Sequence, residues 1–222
     1  MSEESNHICS GVIFDFDGVI LDSAGIKTEA FLELFDEYPN HIESIRNYHI
    51  EHQGITRYQK FEWIYNELLN KEYTTRIKQK LGKKFSTIVL EKILNVDAIP
   101  GALDFLVFLK NQNIPAFISS GTPDAELKKI LQKRDLNPYF LNVYGSNLTK
   151  EEAIDVITSN HNFNYSDLLF VGDAKTDYDA AKSKNVPFVA VYSDEMVEFW
   201  KRNNIQPINN LMDIKTKFRF EI

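Results

Sequence analysis

The sequence predicts an α/β fold in which a doubly wound parallel sheet carries an inserted α-helical domain. Three observations lead there. A short apolar run beginning at Gly11 stops at an acidic turn, the stretch from Lys27 to Val96 shows only helical periodicity, and strands alternate with helices after Pro100-Gly101.

Gly11-Val12-Ile13-Phe14 is apolar and β-branched and ends at Asp15-Phe16-Asp17-Gly18, the pattern of a buried strand running into a turn. Ala30, Phe31, Leu34, Phe35 and Tyr38 then recur at helical spacing, as do Ile55, Tyr58, Phe61, Tyr65, Leu68 and Leu69. Ser86 to Leu94 reads as a further helix. Beyond Pro100-Gly101, Leu103–Lys110 reads as a helix and Ile114–Ile118 as a strand ending at Ser119-Ser120-Gly121. Thr122 reads as the cap of the next helix, with Pro123 at its first position. Asn142–Tyr144 is a short strand, and Thr149-Lys150-Glu151-Glu152 has the spacing of a capping box. Leu168–Val171 is a strand ending at Gly172-Asp173. A helix through Ala180-Ala181-Lys182 stops at Asn185 and Pro187, and Phe188–Val191 is the last strand. The expected architecture is a Rossmann-like core of residues 1–23 and 96–222 with a helical cap of residues 24–95.

Composition narrows the function. The chain has 222 residues, 43% hydrophobic and 26% charged, enough for one large domain with a smaller module. Lys and Arg number 25 against 32 Asp and Glu, a net charge of −7, so the electrostatic footprint of a nucleic-acid binder is absent. No apolar run approaches the roughly 18–20 residues that span a bilayer. The segment MSEESNHICSG is polar and acidic, unlike a secretory signal or an Arg-rich transit peptide. One cysteine, Cys9, excludes an internal disulfide framework and reads as a small buried or edge residue. The expectation is a cytoplasmic monomer with neither nucleic acid nor membrane as partner.

In an open parallel sheet, ligands collect outside the carboxyl ends of the strands. Those ends carry Asp15 and Asp17, then Ser119 and Ser120, then Lys150, then Asp173 and Asp177. Crowded carboxylates need a cation, and an all-oxygen set suits a hard ion such as Mg²⁺. Hydroxyls and one lysine at the first turn of a helix suit a phosphoryl group. Asp15 and Asp17, two apart on extended chain, face one side while Phe14 and Phe16 face the other. That permits one carboxylate to act as nucleophile and the other as proton carrier. A calcium loop would need further ligands where Val19 and Ile26 stand. Plainer roles exist for each of the others. Asp173 and Asp177 fit a helix N-terminus, Ser119 and Ser120 a turn, Lys150 a solvated first turn, and Arg57 a packing arginine. His49 and His52 read as a solvated helix face, and Lys128, Lys129, Lys133 and Arg134 likewise.

Taken in order, Asp15-Phe-Asp17-Gly-Val, Ser119, Lys150 and Gly172-Asp173-Ala-Lys-Thr-Asp177 resemble the motif set of the haloacid dehalogenase-like superfamily. The resemblance spans the chain, including an insertion in the position of that family's helical cap. It implies that Asp15 attacks phosphorus and that Asp17 protonates the leaving oxygen. It implies Ser119, Ser120 and Lys150 on the phosphoryl oxygens. Mg²⁺ would be held by Asp15, the Asp17 main-chain carbonyl and Asp173, with Asp177 either a direct ligand or a support behind them. An acid at position 17 separates the phosphoryl-transfer members from the dehalogenases. Lys150-Glu-Glu-Ala departs from the Lys-Pro of many relatives, with Lys175 as the competing lysine. Gln53-Gly54-Ile55-Thr56-Arg57 resembles the substrate-facing loop of β-phosphoglucomutase-like members, which places Arg57 on the substrate. Those mutases carry a histidine where this chain has Lys27. The implied activity is hydrolysis of a small phosphorylated metabolite, a sugar phosphate above all, beneath a closing cap; phosphomutase activity is the alternative, and a non-catalytic binding relative a third.

Overall fold

The computed structural model describes residues 8–52 and 55–221, so Gln53 and Gly54 lie outside the described residues. The chain forms two compact units, Met1–Asp22 with Asp97–Ile222, and Ser23–Val96. The strands are β1 Ile8–Cys9, β2 Gly11–Phe14, β3 Ala116–Ser119, β4 Asn142–Tyr144, β5 Leu168–Gly172, β6 Phe188–Ala190 and β7 Arg219–Phe220. β2 to β6 form a five-stranded sheet in the order β4-β3-β2-β5-β6, parallel at every pairing, while β1 and β7 pair separately. From β2 the chain builds outward through β3 and β4, then returns to β2's other side for β5 and β6. The strand order therefore reverses at β2 and β5, where parallel sheets open a crevice at their carboxyl ends.

The unit Ser23–Val96 is helical: α1 Ala24–Leu34, α2 Ile42–Glu51, α3 Arg57–Trp63 and α4 Thr75–Ile93. α3 starts on a capping box of Thr56 and Gln59 and runs on as a π-helical turn, Ile64–Leu68. α4 begins well before Ser86, because Thr74 caps it and Leu81, Phe85, Ile88, Val89 and Ile93 share one buried stripe. α1 stops at Leu34, so the apolar period through Tyr38 outruns the helix into a short turn at Pro39–His41. At the centre, the Phe31 ring lies 5.3 Å from Phe61 and 4.8 Å from Phe85.

The sheet unit adds α5 Ala102–Asn111, α6 Asp124–Lys133, α7 Lys150–His161, α8 Lys175–Ser183, α9 Val197–Arg202 and α10 Ile214–Lys217. Ile13, Phe117 and Phe170 pack with Ile154 and Ile157 of α7 and Ala180 and Ala181 of α8. One residue further along β2, Phe14 points to the opposite face and meets Phe105 of α5 edge-on at 6.0 Å. With both faces covered, β2 and β5 are buried at every position and read as continuous apolar runs. β3 starts at Ala116 rather than Ile114, because the Ile114 N–H closes on the Leu109 carbonyl and Pro115 has no N–H to give a ladder. The Thr149–Glu152 capping box forms as expected, and α7 starts at Lys150. Among the described residues no helix is long and apolar enough to cross a membrane.

His49 is not on a solvated face. It is buried between Phe31, 4.5 Å away, and Lys60, whose Nζ donates to His49 Nδ1 at 3.0 Å and to its main-chain carbonyl at 3.1 Å. Lys60 thereby satisfies a carbonyl in the last turn of α2. Burial, then the Lys60 and Lys27 ammonium groups, lower the His49 pKa from 6.5 to about 3. Burial and Lys27 lower that of Lys60 to about 8. Between about pH 6.5 and 3 the unfolded chain binds a proton at His49 that the folded chain refuses. The stability from neutral His49 is thus complete above 6.5 and is lost as pH falls toward 3. His49→Gln, which keeps an acceptor for Lys60, should flatten this dependence. Urea unfolding at pH 7 and pH 4.5 should show the native chain losing on the order of 2 kcal/mol more than the variant. Equal losses would place the acid sensitivity elsewhere.

Candidate active site

The site grows from the carboxyl ends of three adjacent strands. Asp15 leaves β2 with its N–H donating to the Val171 carbonyl of β5 at 2.9 Å. Asp15 and Asp17 are each 8% exposed, and Phe14 and Phe16, on the opposite side, are fully buried, the alternation that extended chain imposes. Gly18 turns the chain at φ +77°, and a Cβ there would overlap the Asp173 carboxylate. Gly172 likewise leaves room for Asp177. At the end of β5 stand Asp173, nearly buried, and Asp177 in the first turn of α8, fully buried. Asp177 Oδ2 accepts from the Ala174 N–H at 3.0 Å, closing the start of that helix.

These elements bring one carboxylate oxygen from each of Asp15, Asp173 and Asp177 within 4.8 Å of one another. Lys150, the first residue of α7, reaches into the cluster. Its Nζ donates to Asp15 Oδ2 at 2.9 Å and pairs with Asp177 Oδ1. Lys175 is not part of it: it pairs with Asp179 on the exposed side of α8. The pairing of Phe14 with Ile118 sets Ser119, at the end of β3, level with Asp15. Ser119 and Ser120 are both buried, and Ser120 Oγ accepts from the Thr122 N–H at 3.1 Å.

Thr122 does not cap α6. That helix starts at Asp124 behind Pro123, with no side-chain cap, and the Thr122 hydroxyl instead donates to Asp17 Oδ2 at 3.0 Å. A partner 105 residues away outcompetes the local cap. Its only trace in the sequence is that Thr122 belongs to a loop at a strand's carboxyl end.

Electrostatics set what the cluster can hold. Burial raises the Asp173 pKa well above the ordinary carboxylate value, with the charges of Asp15 and Asp177 adding to the rise. Burial pushes Asp177 up to about 6 against the opposing pull of Lys150. Burial works against the Lys150 ammonium too, but Asp15 and Asp177 outweigh it and hold its pKa above the usual lysine range. One lysine cannot neutralise the four carboxylates of Asp15, Asp17, Asp173 and Asp177. A crowded, buried, all-oxygen set of this kind fits a hard divalent cation.

Arg57 belongs to the helical unit. Its Nη1 donates to Ser86 Oγ at 2.9 Å and its guanidinium lies 4.6 Å over the Phe85 ring, so it fastens α3 to α4.

The sequence profile of the haloacid dehalogenase-like hydrolases matches residues 12–191. The chain belongs to that family. Among relatives, a phosphorylated carbohydrates phosphatase of Thermotoga maritima is 24% identical over 184 residues, 79% of this chain and 81% of the relative. A phosphoglycolate phosphatase of Pseudomonas aeruginosa is 24% identical over 200 residues, 81% of this chain and 68% of the relative. The crystal structure of β-phosphoglucomutase from Clostridium difficile superposes with a TM-score of 0.69 at 24% identity, covering 94% of this chain and 96% of that one. This last likeness is one of fold.

Removing Lys150 from this haloacid dehalogenase-like site leaves Asp15 and Asp177 buried without their counter-ion. Lys150→Met should therefore destabilise the chain by about 3–5 kcal/mol in urea unfolding at pH 7. A loss below about 1 kcal/mol would mean that the pairs carry little of the fold.

Proposed function

We propose that this protein is a Mg²⁺-dependent phosphatase of small phosphorylated metabolites, sugar phosphates foremost, working through an aspartyl-phosphate on Asp15. The observation that carries the reading is the convergence of Asp15, Asp173, Asp177 and Lys150, with Asp17 buried two residues beyond the nucleophile. A carboxylate oxygen of Asp15 attacks phosphorus. As the new O–P bond forms, the bond to the leaving oxygen breaks, and that oxygen takes the electron pair together with a proton from Asp17. Asp17, now a carboxylate, removes a proton from water. The resulting oxygen attacks the aspartyl-phosphate, releasing inorganic phosphate and restoring Asp15. Lys150, Ser119 and Ser120 bind the phosphoryl oxygens and hold phosphorus in line with Asp15.

Asp15, the Asp17 main-chain carbonyl, Asp173 and Asp177 would hold Mg²⁺. When bound, the ion supplies positive charge against the phosphoryl oxygens and the crowded carboxylates. Uncatalysed phosphate-monoester hydrolysis is slow enough to demand accelerations up to ~10²¹, whereas one charge-assisted hydrogen bond supplies about 1.5–3 kcal/mol. The whole constellation is therefore needed. Both curated relatives carry phosphatase names, and Lys27 stands where the mutases have a histidine, which favours hydrolysis over the phosphomutase alternative. The reading includes a monomer in a reducing, cytoplasmic setting.

Phosphate release from a panel of sugar phosphates, phosphoglycolate and nucleotides tests the proposal. Release should require Mg²⁺, stop with EDTA, and fall by roughly 10³ or more in Asp15→Asn. A folded native chain that releases nothing, yet isomerises a sugar phosphate when primed with a bisphosphate, would replace hydrolysis with mutase chemistry.

A further inference from the structure

Thr122 has no part in the chemistry proposed above, yet its hydroxyl is spent on the proton carrier. Thr122 Oγ1 donates to Asp17 Oδ2 at 3.0 Å, and the two residues are 2% and 8% exposed. The threonine backbone is held as well. Its N–H donates to Ser120 Oγ at 3.1 Å and its carbonyl accepts from the Ser146 N–H at 3.0 Å. The hydroxyl is thus presented by a loop anchored to both β3 and the turn after β4.

We infer that Thr122 is a positioning residue that selects which oxygen of Asp17 delivers the proton to the leaving group. The inference rests on the phosphatase reading. A protonated carboxyl has one carbonyl and one hydroxyl oxygen, and the carbonyl is the better acceptor. A fixed donor at Oδ2 therefore makes Oδ2 the carbonyl and puts the proton on Oδ1. As the P–O bond breaks, the leaving oxygen receives its electron pair and takes the proton from Oδ1, and Asp17 is left as a carboxylate still accepting from Thr122. Without the hydroxyl, the proton divides between both oxygens and the carboxyl plane loses one restraint.

The test uses leaving groups. An alkoxide must be protonated as it departs, whereas p-nitrophenolate departs without help, so a fault in proton delivery affects only the first. We would measure kcat/KM, which reports the step that expels the leaving group and not the later hydrolysis common to both substrates, for the best alkyl phosphate of the panel and for p-nitrophenyl phosphate in the native chain, Thr122→Val and Thr122→Ser. The alkyl-to-aryl ratio should fall roughly tenfold in Thr122→Val, a part of the 10²–10⁴ that a positioned general acid contributes. Thr122→Ser should restore the native ratio. Equal loss on both substrates, or an unchanged ratio, would overturn the inference while leaving the phosphatase reading in place. A native chain that turns over neither substrate would remove that reading, and the inference with it. If Thr122→Val does not fold by circular dichroism, Thr122→Ala carries the same comparison.

Discussion

The carboxyl edge of the sheet is shaped by the need to keep several carboxylates together away from water. Asp15, Asp173 and Asp177 bring oxygens within 4.8 Å of one another, and burial drives the pKa values of Asp173 and Asp177 upward. Like charges so placed repel, and the chain answers with hydrogen-bond donors aimed at them. Lys150 bridges Asp15 and Asp177, the Ala174 N–H donates to Asp177, and the Phe16 N–H donates to Asp15 Oδ1 at 2.6 Å. Gly18 and Gly172 give up side chains so that Asp173 and Asp177 can approach the turn after β2 and the end of β5. Such an assembly costs stability, and the buried faces of β2, β3 and β5 have to carry it.

Much of this could be read from the sequence because its determinants are local. The strand ends at Phe14 and Gly172 are marked by apolar runs that stop at acidic turns, and a parallel sheet gathers such ends on one edge. Lys150 was legible through the Thr149–Glu152 capping box, which fixes it as the first residue of a helix beside that edge. β3 was misplaced by two residues because apolar character marks burial, whereas the strand begins only where the backbone can join a ladder.

What the sequence hid are polar side chains whose partners are distant. Thr122 beside Pro123 has every local mark of a helix cap, and only the fold reveals Asp17 as its acceptor. His49 fails in the same way. Polar residues three apart on a helix look solvated, and nothing near residue 49 announces that Lys60, on another helix, will bury it. Arg57 was legible as a substrate-facing or packing arginine, but its attachment to Ser86 and Phe85 depends on how α3 packs on α4. Hydrophobic periodicity reports which face is inside. It carries no information on which polar group meets which.

Lys60, buried, and Lys150, partly buried, show how neighbouring charge decides what leaving water does to an amine. Both Lys60 and Lys150 leave water, and desolvation alone would lower each pKa. Lys60 faces neutral His49 with Lys27 nearby, so nothing opposes desolvation and its pKa falls to about 8. Lys150 faces two carboxylates, whose attraction exceeds the cost of burial, and it stays firmly protonated. A permanently charged lysine suits the phosphoryl-binding role proposed for it, because its charge does not depend on the proton transfer proposed for Asp17. The same charge also balances Asp15 and Asp177 whenever no phosphoryl group is bound, so one side chain would serve both the stability of the site and its affinity for anions.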